Sequence, residues 1–145
     1  MNWRGNGSMG RFAVDMTLTN NHDLHLAQAG ALAPEQVRRL ITKGTVDSGA
    51  HYLVLPATVA TQLGVPSGGD VTVHYADRRS AKRSLVEEVH LELLGRHGTF
   101  RAVVEPDRDI PLIGAIVLED LDLLVDCTKQ ILMPRDPTGI VAEIE

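Results

Sequence analysis

Apolar residues in this chain recur at every second position over long stretches, and that spacing confines it to β structure. From Arg11 to Thr19, Phe12, Val14, Met16 and Leu18 fall on one side, with Arg11, Asp15, Thr17 and Thr19 opposite. A period of two marks a half-buried strand. Within Ser84–Leu94, Val89, Leu91 and Leu93 alternate in the same way with His90, Glu92 and Leu94. Shorter strands are predicted over Leu40–Val46, Tyr52–Leu55, Val71–Tyr75 and Thr99–Val104, with a final hairpin from Leu123–Cys127 and Gln130–Met133. Asn20–Asp23, Ser67-Gly68-Gly69-Asp70 and Gly95–Gly98 read as turns between them. Helical signals are brief. Pro56 suits a first helical position, Val59, Ala60 and Leu63 point inward, and Gly64 is a stop. Ile116, Leu118 and Leu121 mark a second short apolar face, while Pro34-Glu35-Gln36 begins a helical turn at most. The expected class is all-β with one or two short helices.

A chain of 145 residues is one domain with room for a real core. Aromatics are only 3% of it against 43% hydrophobic residues overall, so that core must be aliphatic. A net charge of −5 argues against nucleic acid, whose phosphates need a basic face. No apolar run reaches the length of a membrane span, and the start lacks the apolar region of a signal peptide. The expected location is therefore the cytoplasm. Residues 1–10 are polar and glycine-rich and are expected to be flexible, ahead of a domain over 11–134 and a tail over 135–145. The single cysteine, Cys127, excludes an internal disulfide and reads as a small buried hydrophobe. The histidines stand at no metal-site spacing, so neither a metal nor another cofactor is expected.

One turn differs in its chemistry. Thr45-Val46 runs into Asp47-Ser48-Gly49-Ala50 before the chain becomes apolar again at Tyr52-Leu53-Val54-Leu55. Gly49 allows a close fold, so the turn presents one carboxylate between two buried strands. Asp-Ser-Gly is also an ordinary turn tripeptide, because Asp and Ser bond to their own backbone. Further along, Pro111-Leu112-Ile113-Gly114-Ala115 repeats the pattern of apolar residues running into glycine.

These pieces, taken in order from Met9 to Pro134, resemble the small bacterial single-domain members of the retropepsin-like aspartic proteases. The resemblance rests on Val46-Asp47-Ser48-Gly49-Ala50, then Leu55-Pro56 leading to Leu63-Gly64-Val65. It continues through Val73-His74-Tyr75-Ala76-Asp77, Leu112-Ile113-Gly114-Ala115 and Leu123-Leu124-Val125-Asp126. It implies a closed or partly open β-barrel, one lobe of the acid-protease fold per chain. Asp47 would be the catalytic acid, with Ser48, Gly49 and Ala50 completing its loop and Ile113-Gly114 supporting it. Ser48 stands where threonine is commoner. Ala76, Asp77, Arg78 and Arg79 fall where the family has a flap over substrate, although Arg78 replaces its usual glycine. The basic residues Arg78, Arg79, Lys82 and Arg83 would equally keep an exposed hairpin soluble and block edge pairing.

An aspartic protease needs two facing carboxylates that share one proton. This chain holds one Asp-Ser-Gly and no second Asp-Ser/Thr-Gly. The resemblance therefore implies a homodimer with an Asp47 from each copy at the two-fold axis. The apolar tail Ile140-Val141-Ala142-Glu143-Ile144 would be a strand interleaved at that interface. The implied activity is endopeptidase action on a peptide or protein substrate, most effective in acid. The alternative is an inactive or latent relative that binds an extended peptide by strand addition.

Overall fold

A computed structural model describes residues 11–145; the segment expected to be flexible, residues 1–10, lies outside the described residues. Nine strands and three short α-helices follow one another in this part of the chain. Strand β1 (Arg11–Asn20) leads to helix α1 (Asn21–Gln28), a single 3-10 turn (Pro34–Gln36) and β2 (Arg39–Asp47). Then come β3 (Leu53–Pro56), α2 (Ala57–Leu63), β4 (Ser67–His74), β5 (Ser80–Leu93) and β6 (Arg96–Glu105). The remainder is β7 (Leu112–Ile113), α3 (Ala115–Asp120), β8 (Leu123–Asp126) and β9 (Ile131–Pro134).

The sheet closes on itself. Its order is β1-β2-β7-β3-β6-β5-β4, and an additional pairing of β1 with β5 turns all but β4 into a closed barrel. The fold is thus an all-β barrel with few, short helices. Closure depends on a bend in β5. Its first half pairs with β4 from Val86 back to Ser80, and its second half pairs with β1, Val89 facing Asn20 and Glu92 facing Thr17. Between the halves the register with β6 slips, and Glu88 takes a φ of +62°. One extra residue of this kind kinks a strand and sharpens its twist, which lets a single strand leave one neighbour and join another.

Alternation places most of the core as the sequence predicts, but Thr19, expected on the polar side of β1, is buried where β1 is flanked by both β2 and β5. Met16, Leu18, Val46, Leu53, Leu55, Val89, Leu91 and Leu93 are all buried, nearly all of them aliphatic chains packed inside the barrel. Helix α2 contributes Val59, Ala60 and Leu63 to that core, and its chain turns out at Gly64 with φ +65°. Burial of each large aliphatic side chain is worth roughly 1.5–3 kcal/mol, so the barrel stands on these residues rather than on surface ion pairs.

Several expectations need correction. Asn20–Asp23 is not a plain turn: Asn20 caps α1, its Oδ1 accepting the Asp23 N–H at 2.9 Å. Ser67–Asp70 lies within β4 as a bulge, where Gly69 has φ +95° and a Cβ on Gly68 would meet Glu87 at 2.6 Å. The glycine pair therefore signals a distortion in a strand, not its end. Arg96–Gly98 belongs to β6, leaving the turn to Leu94 and Gly95. In α3 the inward residues are Val117 and Leu118, followed by Leu121, while Ile116 remains partly exposed. Cys127 is exposed, because β8 has already ended at Asp126 and the chain turns there. Residues 140–144 form no strand in the single chain. Within that segment the tail is tied back at Val141: Asp122 Oδ2 accepts the Val141 N–H at 3.1 Å, and Arg135 donates to the Val141 carbonyl at 3.1 Å.

Candidate functional site

Asp47 is the last residue of β2, and the next strand of the chain, β3, is not its neighbour in the sheet. Strand β7 lies between them, parallel to β2 (Thr45 beside Leu112, Val46 beside Ile113) and antiparallel to β3 (Val54 beside Leu112). The loop of residues 48–52 must therefore arch over the end of β7. Two hydrogen bonds fasten the arch from beneath, from Ala115 N–H to the Ala50 carbonyl at 2.8 Å and from Ile116 N–H to the His51 carbonyl at 3.0 Å. Gly114 makes this approach possible. A Cβ there would stand 2.3 Å from the Tyr52 carbonyl oxygen and 2.7 Å from that of His51. Ile113 is fully buried directly before it. The apolar-Gly element and the Asp47 loop, distant in sequence, form one unit.

Within that unit both oxygens of Asp47 have partners. Oδ1 accepts the Gly49 N–H at 3.0 Å, and Oδ2 is 3.2 Å from Nε of Arg11, directly across β1 in register. The Asp47 side chain is only 15% exposed. Ser48 is exposed at the tip of the loop, and Ala50 N–H closes the turn onto the Asp47 carbonyl at 3.1 Å.

Facing this loop is the hairpin of β4 and β5. Its tip is tied by Tyr75 N–H to the Arg79 carbonyl (2.9 Å) and by Arg78 N–H to the Tyr75 carbonyl (3.0 Å). Arg78 adopts φ +72°, the left-handed conformation that glycine would take at no cost. Asp77 turns toward its own hairpin: its carboxylate takes the Arg79 Nε–H at 2.6 Å and the Arg79 backbone N–H at 3.0 Å. Those bonds hold the Asp77 carboxyl below its ordinary range.

A cleft of about 520 Å³ separates loop from hairpin, and Asp47, Gly49, Ala50, Ala76 and Arg79 all line it. The structure brings these together across the barrel mouth. Ser48, Asp77 and Arg78 lie outside the lining of this cleft, and Ile113 and Gly114 act from below the loop.

Four further residues on the cleft wall had no site role assigned from the sequence: Arg11 and Glu105, which no motif marks, Tyr75, which only precedes the flap positions, and Arg83, one of the hairpin's basic residues. Glu105, at the end of β6, accepts the Tyr75 hydroxyl at 2.5 Å and Arg83 Nε–H at 2.9 Å, joining the hairpin base to the barrel. The bond to Glu105, then burial, raises the Tyr75 hydroxyl above its ordinary value. Register alone makes these partners, so only the placing of Arg11 and Asp47 at opposite ends of strands offered any signal. Among the described residues, no group of three or more His, Cys, Asp or Glu side chains is placed to hold a metal ion.

The fold and site together define a class: a single β-barrel lobe whose mouth holds an anchored carboxylate loop opposite a hairpin. No family model matches the chain, and a search of curated proteins gives no match. Among the described residues no helix is long and apolar enough to cross a membrane.

Proposed function

We propose that this chain is half of an aspartic endopeptidase of the retropepsin type, active as a homodimer. The observation that carries the reading is the arched loop that places Asp47 in a cleft opposite a hairpin tip, its backbone held by Ala115 and Ile116 N–H groups. A rigid backbone fixes the carboxylate in advance of substrate, and electrostatic catalysis depends on that preorganisation. The chain supplies one such carboxylate, so an Asp47 from each of two copies would share one proton across the axis. The ionised Asp47 takes a proton from a water molecule, whose oxygen then bonds to the scissile carbonyl carbon. The protonated Asp47 donates to the carbonyl oxygen. Collapse of the resulting diol breaks the C–N bond, and the amine leaves with a proton returned from the carboxyl pair.

A second reading is a latent, peptide-binding relative. It is favoured by the Arg11–Asp47 ion pair, which engages Oδ2 of Asp47 and favours the ionised carboxylate over one that holds a proton. It is also favoured by β4, which pairs only with β5 among the described residues and so leaves an edge open to strand addition.

The deciding experiment compares the parent chain with Asp47→Asn on a mixed peptide library between neutral and acid pH, with sedimentation run alongside. The protease reading expects a dimer, cleavage favoured in acid, and at least a thousandfold loss in the variant. Equal cleavage by both proteins, or a strict monomer at every pH, sinks it. Peptide affinity in the variant without turnover in the parent selects the latent form.

A further inference from the structure

The wall of the cleft is rich in hydrogen-bond donors and poor in free acceptors. Its inner carboxylates are committed, Asp47 to Gly49 and Arg11, and Glu105 to Tyr75 and Arg83. The guanidinium groups are not used up. Arg83 spends Nε on Glu105 and Nη1 on the Lys82 carbonyl, and the Tyr75 hydroxyl lies against the same guanidinium, which still leaves N–H groups over among the described residues. Among the described residues Arg108 spends only Nε in hydrogen bonds, on the Ile110 carbonyl at 3.0 Å, and Arg79 only Nε, on Asp77, while its guanidinium lies over the Tyr75 ring. All three line the same cleft as Asp47. Against them stands Asp107, exposed beside Arg108 and the one carboxylate of the cleft wall without an ion pair among the described residues.

Arg83 is the best placed of the three. Its side chain is 26% exposed, and Glu105, itself 14% exposed, fixes its orientation. A planar guanidinium held on one edge presents its other N–H groups as a preformed fork for a carboxylate. Little side-chain entropy remains to be lost when that fork is filled.

We infer that the cleft selects an extended peptide bearing an aspartate or glutamate side chain, which Arg83 and Arg108 receive. The inference rests on the peptide-binding reading of this cleft, whether or not the bound peptide is cut. A neutral side chain of equal size would leave the guanidinium donors desolvated without an acceptor, and a basic one would meet like charge.

The test is fluorescence anisotropy of the full chain at low ionic strength with short labelled peptides. One position at a time is set to Glu, Gln or Lys in an otherwise neutral background. At one position Glu should bind about tenfold more tightly than Gln, as charge-assisted hydrogen bonds require. Arg108→Gln should remove most of that preference, and so should Arg83→Gln if it folds. Arg101→Gln, an exposed arginine of β6 outside this cleft, should leave it intact and so controls for net charge. Equal binding of Glu and Gln peptides, preference for Lys, no binding at all, or an equal loss in Arg101→Gln overturns the proposal. Mass spectrometry of the same mixtures reads cleavage separately. Cutting without charge preference ends the acidic subsite and leaves the hydrolase. A Glu preference without cutting ends the hydrolase and leaves the subsite.

Discussion

Replacing Gly114 with alanine tests the joint between the Asp47 loop and the rest of the barrel. Gly114 has φ −91° and ψ −177°, an extended conformation that alanine adopts freely. Any cost is therefore steric. The new methyl group would stand 2.3 Å from the Tyr52 carbonyl oxygen and 2.7 Å from the His51 oxygen, both of them backbone atoms that no rotamer change can move. Relief requires the arch to lift from α3, which stretches the bonds Ala115 N–H to Ala50 and Ile116 N–H to His51. Overpacking of a tight site costs about 1–3 kcal/mol, and two weakened hydrogen bonds add about 1 kcal/mol each. The variant should thus lose about 3–5 kcal/mol, a large part of the roughly 5–15 kcal/mol that a domain holds. In urea, with a slope of about 2 kcal/mol/M, the midpoint should fall by about 1.5–2.5 M. Gly49→Ala is the control, since its Cβ would meet only the Asp47 Oδ1 at 3.3 Å, and it should cost under about 1 kcal/mol. A Gly114→Ala midpoint within about 0.5 M of the parent would refute the argument that close backbone approach fixes this loop.

Asp23 is buried and accepts Arg38 Nε–H at 2.8 Å, Nη2–H at 3.0 Å and backbone N–H at 3.0 Å. The side-chain hydrogen bond from Arg38 holds its carboxyl below the ordinary value of 3.8. Its stabilising contribution is therefore complete above about pH 4 and is lost as pH falls through the lowered folded value. Asp23→Asn should cost about 1–3 kcal/mol at neutral pH by urea unfolding and flatten the acid limb. His90 carries a buried Nδ1 without a partner among the described residues, and burial, followed by the nearby His97, lowers its pKa from 6.5. The unfolded chain takes up this proton first, so stability should fall as pH drops below 6.5 toward the lowered folded value. His90→Gln should remove that slope in urea midpoints taken between about pH 7 and 5. Arg96, buried at the start of β6, donates Nη1–H groups to the Leu121 and Asp122 carbonyls, both at 2.9 Å, and Nη2–H to that of Asp136. Arg96→Met leaves these carbonyls without their donor. It should cost about 2–3 kcal/mol in urea and speed hydrogen exchange from Asp122 to Val141.

Most strands were legible because alternation is a local property. Phe12 to Leu18 and Val89 to Leu93 show their inward faces in sequence, since successive side chains leave a strand on opposite sides. Errors fell where a residue had two uses. Asn20 reads as a turn residue and serves as a helix cap; Gly68-Gly69 reads as a turn and serves as a bulge. Cys127 sits in an apolar stretch of sequence, yet it lies one residue past the end of β8.

The candidate site divides in the same way. Asp47, Gly49 and Gly114 stand out in the sequence only through the order and spacing of an Asp-Ser-Gly turn and a later apolar run ending in glycine, neither of which is distinctive alone. Arg11, Glu105 and Arg108 do not stand out, being ordinary strand and loop residues, and Tyr75 and Arg83 are visible only as parts of the hairpin, with no sign of their shared partner Glu105. Their meaning comes from the insertion of β7 between β2 and β3 and from the bend of β5, which together set which chain segments face the barrel mouth. Side-chain periodicity is written into consecutive residues, so the chain's β character was settled before folding. Which cation meets which carboxylate depends on register between distant strands, and only closure of the barrel decides that.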